Sequence, residues 1–345
     1  MSKLPFRLLS AGLLSAFCLT ATFTASLPLS AAEETEDKSK LAYTDTESAP
    51  EDFKFQGEYA GKIKTDEGEV KVGVHVISRG DGKFDAVGYV GGLPGDGWTQ
   101  EERLKSTGKL KEGEVRLSNY ESDLIGIVKD DQIAIVTDRG DGQTIGTLEK
   151  VHRESPTLGA EAPEGAIVLF DGTSGEKFEN GQVTESGLLM QGVTSKEKFK
   201  SCTLHVEFML PYMPYAVGQQ RGNSGCYLQG RYEVQMLDSF GLAGLDNECG
   251  AIYSVKSPRV NMCYPPLTWQ TYDIDFEAAV YDEEGNKTKP AYLTVRHNGV
   301  LVQDKTKVES ITRAAPVQES PEPGPLYLQD HSNPVRYRNI WLVEK

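Results

Sequence analysis

The stretch GNSGCYLQGRYEVQMLDSFG, residues 222–241, decides the fold. It alternates apolar and polar side chains on both sides of a Gly230-Arg231 corner, the period of two that marks β-strands. Cys226 and Leu228 point to one side, and Tyr232, Val234 and Met236 continue that side after the corner. Tyr227, Gln229, Glu233 and Gln235 are left on the other. A sheet with one apolar face has to bury it, so the pattern predicts a layered all-β domain. The same alternation returns in CTLHVEFML (202–210), TYDIDFEA (271–278), AYLTVRHNG (291–299), LYLQ (326–329) and VRYRNIWLVE (335–344). In the first of these Leu204, Val206 and Phe208 face inward, and His205 and Glu207 face away. Helical periodicity is nearly absent downstream of residue 33.

Upstream, short runs such as VKVGVHVI, KFDAVGYV, LIGIVK and QIAIVT fill residues 53–153, separated by Gly- and Asp-rich turns. Their spacing predicts a small β-barrel or compact sandwich. Two copies of Arg-Gly-Asp-Gly, at 79–82 and 139–142, fit hairpin ends rather than an adhesion motif. The Gly91 to Trp98 loop, with an aromatic at its tip, is read as a turn rather than a ligand-binding loop. Ser155-Pro156 to Pro163 forms a Pro-punctuated joint, and a second β-rich region covers 165–345. Residues 33–52 are acidic and poor in large apolar residues, the composition of a solvated linker.

The first 32 residues pair Lys3 and Arg7 with an apolar run that ends at Ser30-Ala31-Ala32, which predicts a cleaved signal peptide and a secreted or periplasmic protein. Polar interruptions and Pro28 argue against an uncleaved anchor, and Phe17 before Cys18 argues against lipidation. The net charge is −15 in 345 residues, or −17 without Lys3 and Arg7. Such a chain is a poor partner for nucleic acid or an anionic membrane. Four cysteines remain beyond Cys18, and an oxidising compartment predicts a bridge between Cys249 and Cys263, with Cys226 a small buried hydrophobe. No Cys-x-x-Cys or paired His spacing supports a zinc site.

The polar face carries amides, tyrosines and acids rather than lysine and threonine. Tyr-Leu-Gln occurs at 227–229 and again at 327–329, the second copy leading into Asp330-His331. Tyr and Gln supply ring stacking and two-way hydrogen bonding, the needs of a sugar surface. A plain wet sheet face is the bland alternative. Glu233, Gln235 and Asp238 form E-x-Q-x-x-D, a weak echo of the E-x-D-x-x-E pattern of retaining glycosidases, in which Glu233 and Asp238 would be the acting pair.

The blocks LFDGTS (169–174), RGNSGCYLQGRYEVQMLDSFG (221–241), CGAIYSVKSPRVNMCYPP (249–266), WQTYDIDF (269–276), VRHNGVLVQD (295–304) and GPLYLQDHSNPVRYRNIW (324–341) resemble the 3-keto-disaccharide hydrolase-like domain family over about residues 165–345. The resemblance implies a concanavalin-like jelly-roll sandwich that acts on oligosaccharides or glycosides oxidised to a ketone at carbon 3. Such chemistry needs a base for the carbon-2 hydrogen, a stabiliser for the enolate oxygen and an acid for the leaving group. Glu233 or His331 is the candidate base. Lys256, Arg231 or a divalent metal, with Glu207, Glu233 and Asp238 as possible ligands, is the candidate stabiliser. Asn223, Tyr227, Gln229, Gln235, Tyr327 and Gln329 are candidates to hold substrate. Each has a structural alternative: a turn at Asn223-Ser224-Gly225, an Asx turn at Asp238, an ion pair for Arg231, a hairpin or rim place for His297. The competing function is a non-catalytic carbohydrate-binding sandwich.

Overall fold

The computed structural model describes residues 37–138 and 142–345. The expected signal peptide and the Arg139-Gly140-Asp141 part of the second turn lie outside the described residues. Among the described residues no helix is long and apolar enough to cross a membrane.

Strands β1 (Gly57–Thr65), β2 (Gly68–Ser78), β3 (Lys83–Val90), β4 (Arg103–Lys111), β5 (Glu114–Ser118), β6 (Leu124–Lys129), β7 (Gln132–Thr137) and β8 (Thr144–Val151) pair in sequence order, and β8 closes on β1. Every pairing is antiparallel, so the module is an up-and-down barrel with no free edge. Closure follows from strands linked by tight turns such as Arg79-Gly80-Asp81-Gly82, where Gly80, Asp81 and Gly82 all take positive φ. The inner face is filled at one end by Phe55, Tyr59, Val76, Phe84, Val115, Val128 and Leu148.

The second region comprises β9 (Ile167–Phe170), β10 (Phe178–Glu179), β11 (Leu189–Met190), β12 (Val193–Phe199), β13 (Cys202–Met209), β14 (Ser224–Leu228), β15 (Tyr232–Met236), β16 (Trp269–Glu277), β17 (Val280–Tyr281), β18 (Lys287–Lys289), β19 (Ala291–His297), β20 (Val300–Val308), β21 (Gly324–Leu328) and β22 (Arg336–Glu344). One sheet runs β10-β12-β21-β14-β15, and the other runs β11-β22-β13-β16-β19-β20, with β9 also on β22. The two face each other across one apolar core. Leu204, Val206, Phe208, Cys226, Leu228, Val234 and Met236 are all fully buried there, as alternation requires. Two polar pairs cross the core: Ser224 Oγ meets Tyr337 Oη at 2.6 Å, and Tyr272 Oη donates to the Gln235 carbonyl at 2.5 Å. The barrel plus sandwich is the fold class read from the sequence.

Two expectations are corrected. Residues 37–52 are not a free linker. Tyr43 and Tyr212 exchange backbone hydrogen bonds of 3.0 and 2.9 Å, and Lys38 reaches Asp81 at 2.9 Å. Asp52, itself buried, accepts from the Gly82 N–H at 2.9 Å. Too few apolar groups advertise this docking because backbone and ionic contacts make it. The expected Cys249 to Cys263 bridge is absent: all four described cysteines are free and buried. Each thiol has another partner instead: Cys249 Sγ lies 3.1 Å from Tyr272 Oη, and Cys263 Sγ donates to the Leu237 and Tyr264 carbonyls at 3.5 Å.

Barrel and sandwich share a face. His75 stacks on Phe240 at 4.3 Å, and Ile77, Val87 and Tyr89 join the sandwich core. Behind them Glu58, fully buried, accepts from Arg153 Nε at 2.8 Å and meets His75 Nε2 at 3.0 Å. Burial pushes this carboxyl up, but His75 and Arg153 outweigh it and hold it at about 2. Its stabilising contribution is therefore full above about 4.5, the ordinary value, and is lost as pH falls toward 2. Arg153→Met leaves Glu58 buried without its cation and is expected to lower the urea-unfolding free energy by about 3 kcal/mol at pH 7. That loss should shrink below pH 4.

Candidate functional site

The outer face of the β14-β15 pair is polar in sequence yet buried in the fold. Tyr227 lies opposite Glu233 across this pair and opposite Tyr327 on β21. Gly225 lies opposite Gln235. The face is roofed by three segments. Residues 250–253 run along the edge of β15, with Gln235 N–H donating to the Ala251 carbonyl at 2.9 Å. Thr312 bonds β15 through its N–H to the Arg231 carbonyl, and its hydroxyl accepts from the Glu233 N–H at 3.0 Å. Residues 329–333 close a third side, where Asn333 Oδ1 accepts from the Asn223 N–H at 2.7 Å.

Beneath this roof is a cavity of about 80 Å³ lined by Gln219, Asn223, Tyr227, Glu233, Gln235, Tyr253, Ala314, Gln329 and His331. Gly225 makes the room: a Cβ there would sit 2.3 Å from Glu233 Oε1 and 2.8 Å from the Tyr227 ring. The Tyr227 hydroxyl donates to Glu233 Oε2 at 2.8 Å and itself accepts from Gln329 Nε2 at 3.2 Å. Burial outweighs that hydrogen bond and pushes the Glu233 carboxyl up to about 8. Two buried acceptors in the lining, Asn223 Oδ1 and Gln235 Oε1, have no protein partner. Their amide orientations are fixed by the other ends, since Asn223 Nδ2 donates to the Gln219 carbonyl at 2.7 Å and Gln235 Nε2 to Gln219 Oε1 at 3.2 Å. Acceptors that face a cavity without a protein partner are open to a donor that enters it, a water or a guest hydroxyl.

The structure therefore brings together Glu233, Gln235, Asn223, Tyr227, Gln329 and, exposed at the rim, His331. Tyr327 packs its ring on Tyr227 at 5.4 Å beside them. Other candidates fall away. Arg231 spends its guanidinium on the Gln318 and Glu322 carbonyls at 2.8 and 2.9 Å and on Ser320 Oγ at 2.6 Å. Gln229, in the left-handed corner at φ 57°, braces that arginine and the Phe199 carbonyl. Asp238 is fully buried against Arg221 at 2.6 Å and accepts from the Phe240 N–H, the Asx-turn alternative. It is thus not a partner carboxylate for Glu233. Lys256 is exposed outside the cavity.

Glu207 belongs to the back of the opposite sheet, bonded to Arg338 Nε at 2.7 Å and Asn339 Nδ2 at 2.9 Å. The proposed metal set of Glu207, Glu233 and Asp238 is therefore scattered, and among the described residues no group of three or more His, Cys, Asp or Glu forms a metal-sized cluster. His297 is a buried core residue bonded to Gln270 Oε1 at 2.9 Å. Sequence reasoning missed Gln219, Tyr253 and Gly225. Gln219 and Tyr253 sit in the long irregular segments 211–224 and 238–268, whose length was the available signal.

A roofed polar pocket on the outer face of a two-sheet sandwich, lined by amides, tyrosines and one acid, is the construction of a carbohydrate-active protein. The chain belongs to the family whose model is described as a 3-keto-alpha-glucoside-1,2-lyase-like domain, which matches residues 165–343. Similar solved structures include two from Parabacteroides distasonis ATCC 8503, each described as a "putative glycosyl hydrolase". One is 32% identical over 53% of this chain and 85% of that chain, with a TM-score of 0.48. The other is 18% identical over 53% of this chain and 94% of that chain, with a TM-score of 0.38. No curated protein matches the chain.

The folded state keeps Glu233 protonated up to about pH 8, whereas the unfolded chain releases that proton near 4.5. This group's contribution to stability therefore falls as pH rises between those values, by at most about 1.4 kcal/mol per unit. Glu233→Gln removes the titration. Its urea midpoint relative to the parent protein is expected to rise steadily from pH 5 to pH 8, and a flat difference would show that the carboxyl ionises normally.

Proposed function

We propose that the sandwich cleaves 3-keto-glycosides by elimination, with Glu233 as the base. The observation that carries this reading is a single carboxyl, lifted toward neutrality, in a cavity whose unpaired acceptors call for sugar hydroxyls. A base near the working pH suits removal of a carbon-bound hydrogen that a neighbouring ketone has acidified. Glu233 takes the proton from carbon 2, and the C–H electron pair forms the carbon 2–carbon 3 double bond of an enediolate. Collapse of the enediolate forms the carbon 1–carbon 2 double bond and breaks the bond from carbon 1 to the glycosidic oxygen, which leaves with a proton. Water adding across the new double bond then gives the free 3-keto sugar.

One carboxyl suffices for this sequence, and Asp238 has no place in it. Asn223 and Gln235 accept from sugar hydroxyls, and Tyr227 holds Glu233 in place. The leaving oxygen stays at the open mouth beside His331, where water supplies its proton. The cavity has room for only a few waters' worth of substrate, so the carbon 2–carbon 3 edge enters and the leaving group stays at the rim. With residues 1–32 read as a signal peptide, the enzyme works outside the cytoplasm.

The test is incubation of matched oxidised and unoxidised glycosides in heavy water, with mass analysis of the products. Cleavage of the 3-keto compound alone, with deuterium at carbon 2 of the hydrated product, is expected. Glu233→Gln should lower kcat/KM by at least about 10³-fold, and the parent profile should rise as pH passes about 8, because the ionised form is the base. Turnover of the unoxidised glycoside with retained configuration would replace this reading with a conventional glycosidase. Saturable sugar binding without turnover of either compound would make the protein a binding module. Gly225→Ala, which pushes into Glu233, should cost about 10²-fold in kcat/KM with the fold intact by circular dichroism.

A further inference from the structure

The barrel holds a second, larger cavity that the sandwich chemistry does not use. At the end opposite Phe55, the inner wall leaves a space of about 500 Å³. Eight-stranded barrels are either filled by their own side chains or left able to hold one small ligand, and this one does each at opposite ends. The emptiness has a local cause. Alternation points Ala86, Gly88, Ser106 and Gly126 inward, where the filled end has Phe84, Val115 and Val128. The remaining wall is aliphatic, from Val72, Ile135 and their neighbours. Val90 and Leu104, 43% and 44% exposed, sit at the mouth as large apolar groups open to water.

We propose that the barrel is a binding site for a small hydrophobic molecule whose polar end is neutral or basic. The apolar wall selects the body of the ligand, and burying it there is favourable by roughly 25 cal/mol per Å². A space of this volume is of the size that binds small organic ligands. The mouth selects the end. Among the described residues Asp66 and Glu67 of the β1-β2 turn line it and no lysine or arginine does, so a carboxylate-tailed molecule such as a fatty acid meets repulsion from those two acids there. Ser106 offers a hydroxyl from the inner wall.

The test uses the full chain and the neutral fluorophore N-phenyl-1-naphthylamine. Saturable single-site binding with a blue-shifted emission is expected, displaced by decanol and decylamine at concentrations at least tenfold below those needed for decanoate. Gly88→Leu fills the cavity without backbone conflict, because a Cβ at Gly88 lies 3.5 Å from Leu104 Cβ, an ordinary contact. It should weaken probe binding at least tenfold at an unchanged melting temperature, and turnover of 3-keto-glycoside should be untouched. Should that variant not fold, Asp66→Asn with Glu67→Gln, at an exposed turn, decides instead by narrowing the gap between decanol and decanoate. Unsaturable probe uptake, binding unaffected by Gly88→Leu in a folded protein, equal displacement by decanoate, or an unchanged gap in the double variant would overturn the proposal. None of these outcomes depends on whether the sandwich cleaves its substrate.

Discussion

A carboxyl group placed under a roof with no cation beside it is the constraint on which the site depends. Glu233 sits on the outer side of a sheet, where water would normally solvate it and keep its affinity for protons low. Removing that water takes three separate chain segments, and their placement explains residues that otherwise look like misplaced chemistry. Arg231 is the main strap. Its bonds to the Gln318 and Glu322 carbonyls and to Ser320 fix the segment beyond Thr312 and Ala314, which closes the cavity. Gln229 holds Arg231 in turn.

The other deeply buried carboxyls show what ordinary structural use looks like in the same chain. Glu58 has Arg153, Glu207 has Arg338 and Asp238 has Arg221. A buried charge without such a partner is costly, and these three positions follow that rule. Glu233 has only the Tyr227 hydroxyl, too weak a partner to offset burial. A group that folding makes reluctant to ionise is a stability liability, and such liabilities concentrate where chemistry requires them.

The two cavities differ in the physics of their guests. One is small, roofed and lined by amides and hydroxyls with unmet hydrogen-bond capacity; the other is roomy and aliphatic with an acidic lip. They belong to modules joined by a shared apolar face around Phe240, His75 and Ile77 and by the segment 155–160 laid on the back of the sandwich. There Thr157 Oγ1 donates to Asp273 and the Gly159 N–H to Glu207, so buried polar groups of the outer sheet are satisfied by the connection itself.

By itself the sequence determined the layers. A period of two is imposed by strand geometry, so Leu204, Val234 and Leu326 had to lie inside, and Tyr227, Glu233 and Gln235 had to share the opposite face. Short strands joined by Gly-Asp turns likewise announced a barrel or compact sandwich, and the blocks between 165 and 345 carried the family. Only the tertiary structure decided which polar residues on that face meet. Arg231 and Gln229 alternate correctly yet are captured by a distant loop, Asp238 by Arg221, and Lys256 by nothing in the cavity. Gly225 is invisible to alternation because it contributes an absence, and the cavity exists only because Glu233 folds over it. Strand period is a local property of the backbone, while burial, and with it the proton affinity of Glu233, is set by segments up to about 100 residues away that no local pattern names.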